Sequence, residues 1–330
     1  MSIEFNLLKF EGLTLRSVSG LVDRSQMSEL VDHAFAVPKG KHFFEDFPVW
    51  DENIWNPLGE VYRVGVFRGA ALFSCAGARL ASIKTVGDGR MPVALIGAVA
   101  TQAAWRGRGL ASYCVSEAVN WASKHGAKAA LLWGSEHALY EKIGFSLVGT
   151  QVRVPLSALK LSDVSQAAPI GIGLRPPVYG LLRARAGGLV LTEREERLIA
   201  AHKNVEWYWY GRPERPRAYI ALGRGIDLGG IIHEWGGQPD ALQQLLAFAR
   251  FRRGAQYLLG TREALQARGL VVPGAVEEPL ALVRVLDPKG ALAAYGDAGK
   301  ALSLEGVPSR DWAKTMFGQL PLWVWGLDAV

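Results

Sequence analysis

Arg106-Gly107-Arg108-Gly109-Leu110-Ala111 follows an apolar run from Val93 to Ala100 and opens an amphipathic segment that reaches Ala122. A strand, a glycine-rich basic turn and a helix start, in that order, describe a site for a phosphorylated ligand. The first N–H groups of a helix lack intrahelical partners and the helix dipole is positive there, so such a turn can hold a pyrophosphate. Gly109 and Ala111 keep the backbone approachable, and Arg106 and Arg108 add positive charge. Beyond the turn, Leu110, Cys114, Ala118 and Ala122 recur every four residues with Val115 and Val119 beside them, which predicts one helix face packed on a sheet.

The chain around this turn has 330 residues, 49% of them hydrophobic and 21% charged, enough for two domains with a core each. Its apolar runs are too short to span a bilayer and Met1 to Gly12 lacks the pattern of a secretion signal, so a cytoplasmic protein without a membrane partner is expected. Cys75 and Cys114 have no metal or redox spacing and are read as buried thiols. The net charge of +6 is dispersed rather than gathered in a basic block, which argues against nucleic acid as a partner. His33, His42, His125 and His202 show no ligand-like spacing, and no metal is expected.

Upstream, Leu13 to Val18 predicts a strand, and Asp23 or Ser25 a cap for a helix running to about Ala36. Val37 to Gly59 loses all periodicity and is aromatic and acidic: Phe43, Phe44, Glu45, Asp46, Phe47, Trp50, Asp51, Glu52 and Trp55. Two readings stand for it: a wall that receives an amine substrate, or a solvated loop whose aromatics plug the core. Val61 to Phe67 and Ala70 to Lys84 predict a meander, Val93 to Ala100 a strand buried on both faces, and Ala129 to Trp133 another. Ser135 can cap a short helix through Lys142, and Gly144 stands where a helix stops.

Arg106-x-x-Gly109-x-Ala111 after a strand, with Leu139-Tyr140-Glu141-Lys142-Ile143-Gly144-Phe145 about thirty residues later, resembles the GNAT superfamily of N-acetyltransferases over roughly residues 10 to 155. The resemblance implies an α/β (α+β) fold, a mixed sheet whose fourth and fifth strands splay apart with acetyl-CoA between them. It also implies contacts to the cofactor from Val99, Ala100 and Thr101 at the end of the fourth strand, and from Arg106, Gly107, Arg108, Gly109, Leu110 and Ala111 in the turn. Tyr140 matches the position of the general acid for the departing thiolate; a core tyrosine is the other reading. Many relatives carry an Asn where Gly134-Ser135-Glu136 stands here. The catalytic base is not identified, Glu136 and His137 being no more than neighbours in sequence.

The weakly periodic stretch Gln151 to Pro177 places a boundary, giving a first domain over 1–155, a second over 156–290 and a terminal segment over 291–330. The second half repeats the order of strand, turn, helix, strand, helix and strand. Its turn, Trp235-Gly236-Gly237-Gln238-Pro239-Asp240, has no arginine and puts a carboxylate at the helix start, so it reads as a degenerate GNAT-like copy without acetyl-CoA. His233 and Glu234, adjacent in a strand, point to opposite faces and do not form an acid/base pair. The chain ends on Leu320-Pro321-Leu322-Trp323-Val324-Trp325-Gly326-Leu327-Asp328-Ala329-Val330, too apolar for a free tail. One reading is a strap that seals a domain interface. The other, drawn from a loose resemblance to acetyltransferases of the enhanced-intracellular-survival type, brings Asp328 or the Val330 carboxylate to the transfer cleft as base. The expected activity is acetyl transfer from acetyl-CoA to a primary amine of a small molecule or protein. An inactive acyl-CoA-binding regulator or scaffold is the alternative, and aminoacyl transfer from tRNA a third, disfavoured by the intact turn.

Overall fold

The computed structural model describes residues 12–47, 50, 60–161, 164, 168–225, 227–326 and 328. The chain forms two compact units, each discontinuous in sequence: unit 1 is built from residues 1–148 and 281–321, unit 2 from residues 149–280 and 322–329. Both are mixed α/β.

In unit 1, β1 (Thr14–Ser17), β2 (Val61–Arg68), β3 (Ala71–Lys84) and β4 (Arg90–Thr101) form an antiparallel meander, and β5 (Ala129–Leu132) joins β4 in parallel. The sixth position is taken by the end of the strand Val276–Val285, where Leu282 to Val285 pair antiparallel with Leu132 to Ala129. Helix α1 (Gly20–Ala34) packs on β3 and β4 and buries Met27, Leu30 and Val31. It starts at Gly20, ahead of the caps expected at Asp23 or Ser25, because the Asp23 carboxylate accepts the Ser19 N–H at 3.1 Å and closes the first turn from within. Helix α2 (Leu110–Lys124) lays the predicted stripe of Leu110, Cys114, Val115, Ala118, Val119 and Ala122 against Val64, Val66, Ala76, Ala78, Ala94 and Ile96. Alternate residues of three strands meet a helix face of small side chains, so helix and sheet approach closely.

Unit 2 repeats the arrangement. Here β6 (Ser146–Pro155) contributes Val152 to Pro155 against β11 (Tyr257–Gly260), followed by β10 (Ile231–Gly237), β9 (Arg215–Leu222), β8 (Glu206–Arg212) and β7 (Ile170–Ile172). The segment read as a weakly periodic connection thus contains the end of β6 and all of β7. Unit 1 therefore takes one strand from a part of the chain remote in sequence. β10 and β11 are the parallel pair, as β4 and β5 are in unit 1.

Among the described residues no helix is long and apolar enough to cross a membrane, and no three His, Cys, Asp or Glu side chains gather as a metal site. Cys75 and Cys114 are both free and buried, and burial pushes both thiols up, that of Cys114 to about 12.

Candidate active site

The parallel pairing of β4 with β5 lasts only from Val93–Ala129 to Leu95–Leu131, while β4 runs on to Thr101. Beyond Leu95 its edge is left without pairing to β5. A β-bulge interrupts the other edge of β4 between Cys75–Ala100 and Gly77–Gly97. Within it Ala98 sits at φ 51°, a left-handed conformation that costs a non-glycine residue about 1 kcal/mol or more. Strain of that size is retained where the surrounding structure enforces it, here at the point where the strands part. Val99, Ala100 and Thr101 form the end of the opened edge. Ser74 ties it down, its Oγ donating to the Ala100 carbonyl at 3.1 Å and lying 2.8 Å from the Thr101 hydroxyl.

The turn follows directly. Gln102 fixes its start to β3, donating from Nε2 to the Leu72 carbonyl and from its backbone N–H to Phe73, and Arg106 Nε donates back to the Thr101 carbonyl at 3.3 Å. Gly107 (φ 74°) and Gly109 (φ 81°) both adopt left-handed backbone, and a Cβ added at either would meet no atom within 4 Å. The turn is thus an open cradle, and Gly109, the N-cap of α2, has no side chain to satisfy the first helical N–H groups itself. Those groups and the dipole of a 15-residue helix, with the exposed Arg106 and Arg108 in the same turn, make a donor set suited to a diphosphate. Gly109→Ala is expected to destabilise unit 1 by about 1–2 kcal/mol, read as a lower urea midpoint, because the left-handed cap excludes a Cβ for backbone reasons alone.

Tyr140 lies on the short helix α3 (His137–Glu141) after β5. Its side chain is turned in: the residue is 8% exposed, and a Cβ at Gly134 would lie 3.1 Å from the ring and 3.5 Å from the hydroxyl. Gly134, in the stretch Gly134-Ser135-Glu136 that stands where many relatives carry an Asn, is thereby the residue that lets the phenol rest over the exit of β5. Phe145 backs the ring edge-on at 6.2 Å, and the Phe145 N–H returns to the Tyr140 carbonyl. Burial, reinforced by the charge of Glu136, pushes the phenol up to about 12. Arg284 holds the far end of this helix, donating from Nη1 to the Ile143 carbonyl at 3.0 Å, with its guanidinium over Gly144. It arrives from a strand 140 residues onward, and no local pattern in the sequence marks it.

The turn, the end of β4 and Tyr140 thus all belong to unit 1. Asp328 lies in unit 2, where Arg185 contacts both of its oxygens at 2.7 and 3.0 Å and the Leu189 and Trp325 N–H groups donate to it at 2.8 and 3.2 Å. A carboxylate removed from water needs such partners, and here they take up its accepting capacity. Val330 lies outside the described residues, as do Asp51, Glu52 and Trp55 of the aromatic segment. Of that segment Phe43, Phe44, Phe47 and Trp50 are buried, Phe43 stacking on Phe47 at 4.4 Å. The described aromatics therefore serve as plugs.

The helix start of unit 2 carries different chemistry: the helix Pro239–Arg253 begins with Asp240, paired to Arg217, so a carboxylate stands in its first turn. Glu234 is held by Arg185 at 2.6 Å, whereas His233 directs Nε2 to the Gly223 carbonyl at 2.8 Å and is pushed down to about 4 by burial. The two neighbours serve different partners.

An acetyltransferase (GNAT) domain model matches residues 21–148, less than half of the chain. Among solved structures, a GCN5-related N-acetyltransferase from Kribbella flavida aligns at a TM-score of 0.63 with 18% identity, over 86% of this chain and 74% of that one. A GCN5-related N-acetyltransferase from Anabaena variabilis gives 0.61 and 18% over 86% and 75%. N-myristoyltransferase from Saccharomyces cerevisiae with bound myristoyl-CoA gives 0.51 and 10% over 83% and 82%. At these identities the likeness is one of fold. No curated protein sequence matches significantly.

Proposed function

From the acetyltransferase (GNAT) domain carried by residues 21–148, we propose that this chain transfers an acyl group, acetyl in the first instance, from acyl-CoA to a primary amine by direct attack. The observation that carries this reading is the coincidence, in one unit, of three features: an opened β4 edge, an anion cradle at its end, and a buried phenol at the exit of β5. The backbone of Gly107 to Ala111 and the side chain of Arg106 hold the diphosphate, Arg108 stands beside them over the Trp105 ring, and Val99 to Thr101 border the pantetheine arm. The thioester supplies the acyl carbonyl that the amine attacks. As the C–N bond forms and the C–S bond breaks, the amine gives up one proton and the sulfur ends as a thiol.

Tyr140 acts at the sulfur. With its phenol at about 12 and a thiol near 8.5, outright transfer of its proton is uphill by about 5 kcal/mol. The Tyr140 hydroxyl therefore donates a hydrogen bond to the charge growing on sulfur, while the proton that remains there comes from the amine. Orientation of the two reactants supplies the rest, and no covalent acyl-enzyme is needed. Asp328, committed to Arg185, serves the stability of unit 2 and not this reaction; a base role for the terminal carboxylate of Val330 stays a proposal, tested by appending residues after it. Unit 2 is read as a copy that keeps the fold without the cradle.

Thiol release from acetyl-CoA across a panel of polyamines, aminoglycosides, arylamines and peptide N-termini tests the proposal. Release that depends on one amine class supports it. Binding of acetyl-CoA with no release for any class points to the regulator instead.

A further inference from the structure

Two guanidinium groups from different elements converge on one indole beside the cradle. Arg68, the last residue of β2, places its guanidinium carbon 5.0 Å from the Trp105 ring centre, and Arg108 places its own at 4.7 Å. Phe73 packs against the same ring at 4.6 Å, so Trp105 is held from β3 while it holds the cations. Stacking on an aromatic face fixes a guanidinium in orientation and leaves its edge of N–H donors pointing outward, the geometry that grips a phosphate with two bonds.

The charge around this indole is uncompensated. Arg16, Arg153, Arg183, Arg217, Arg253 and Arg262 each pair with a carboxylate: Asp23, Glu278, Glu196, Asp240, Glu206 and Glu277. Among the described residues, no carboxylate lies within ion-pair distance of Arg68, Arg106 or Arg108, although the three crowd one corner of unit 1. Like charges brought together without an acid between them raise the energy of the free protein and lower that of a complex with a polyanion. The cradle accounts for one anionic centre, a diphosphate. Arg68 lies outside it, on a separate turn, and calls for a second.

We propose that Arg68 and Arg108, stacked on Trp105, bind the 3′-phosphate of the ribose in coenzyme A and make the site selective for the 3′-phosphorylated cofactor. The proposal rests on the acyl-CoA reading above and adds a residue outside the turn. A phosphate monoester carries close to two charges at neutral pH, and its three terminal oxygens suit two guanidinium edges at once. The site is exposed, so its contribution falls with ionic strength.

Titration calorimetry of the full chain with coenzyme A and with 3′-dephospho-coenzyme A, in low-salt buffer, tests this by binding alone. The wild-type chain is expected to prefer coenzyme A by about tenfold. Arg68→Ala and the longer Arg68→Gln are both expected to erase most of that preference by weakening coenzyme A only, leaving the dephospho form unchanged. An equal loss for both ligands, or no preference in the wild type, overturns the assignment of the 3′-phosphate while leaving the cradle intact. Failure of the wild type to bind either ligand overturns the acyl-CoA reading itself, and this site with it.

Discussion

Tyr140→Phe is expected to lower amine-dependent thiol release by about 10²–10³-fold while acyl-CoA binds as before. The change removes one oxygen and keeps the ring that fills the space over Gly134 and against Phe145, so α3 and the β5 exit stay packed. What is lost, on the proposed reading, is the donor to the leaving sulfur, and burial of Tyr140 strengthens such a bond. Calorimetry with acetyl-CoA and single-turnover thiol release, run on the same preparation, separate the two effects. The pH profile adds a second reading. Because the phenol stands at about 12, Tyr140 remains a donor throughout the working range, and activity is expected to rise with pH as the amine loses its proton, with no fall below about pH 10 from tyrosine ionisation. A descending limb at pH 8–9 that vanishes in Tyr140→Phe contradicts the buried, protonated phenol.

Arg185→Met is expected to destabilise unit 2 by about 3–5 kcal/mol, seen as a lower urea midpoint for its transition. The Arg185 side chain is 2% exposed and those of Glu234 and Asp328 are fully enclosed, so removing the cation leaves two carboxylates without water or counter-charge. Glu234 is already pushed up by burial, which outweighs the pull of Arg185, and Tyr219 touches it at 3.3 Å. A carboxyl whose folded pKa is raised contributes stability that is present at low pH and lost as pH rises through the folded value. In the variant this dependence steepens, so the deficit relative to wild type is expected to be smaller at pH 5 than at pH 8. A deficit that grows toward acid instead assigns the cluster a different charge state. Asp328→Asn, which keeps the shape and most hydrogen bonds, is expected to cost less.

The turn and the helix after it were legible in the chain because their parts are local. A turn that needs left-handed backbone at Gly107 and Gly109 announces itself by glycine, and a stripe such as Leu110, Cys114, Ala118 and Ala122 announces its helix. Tyr140 is marked by its surroundings, Ile143-Gly144-Phe145, whose turn geometry returns the Phe145 N–H to the tyrosine carbonyl. The pairing partner of a strand is not local information. Val276–Val285 reads as a strand whatever lies beside it, so nothing in its pattern told that Leu282 would pair with Leu132, or that Arg284 would reach the Ile143 carbonyl. The partner of Asp328 is hidden for the same reason: a lone carboxylate in an apolar tail carries no mark of the Arg185 that pairs with it. Arg68 and Trp105 escaped because a stacked cation leaves no spacing signature between residues 37 positions apart.

On the proposed reading one cradle, in unit 1, binds acyl-CoA, and the helix start of unit 2, where Asp240 pairs with Arg217, does not. Titration calorimetry of the full chain with acetyl-CoA measures this directly. One molecule bound per chain, lost in Arg106→Ala combined with Arg108→Ala, is the predicted result; no binding, or two molecules per chain, contradicts it.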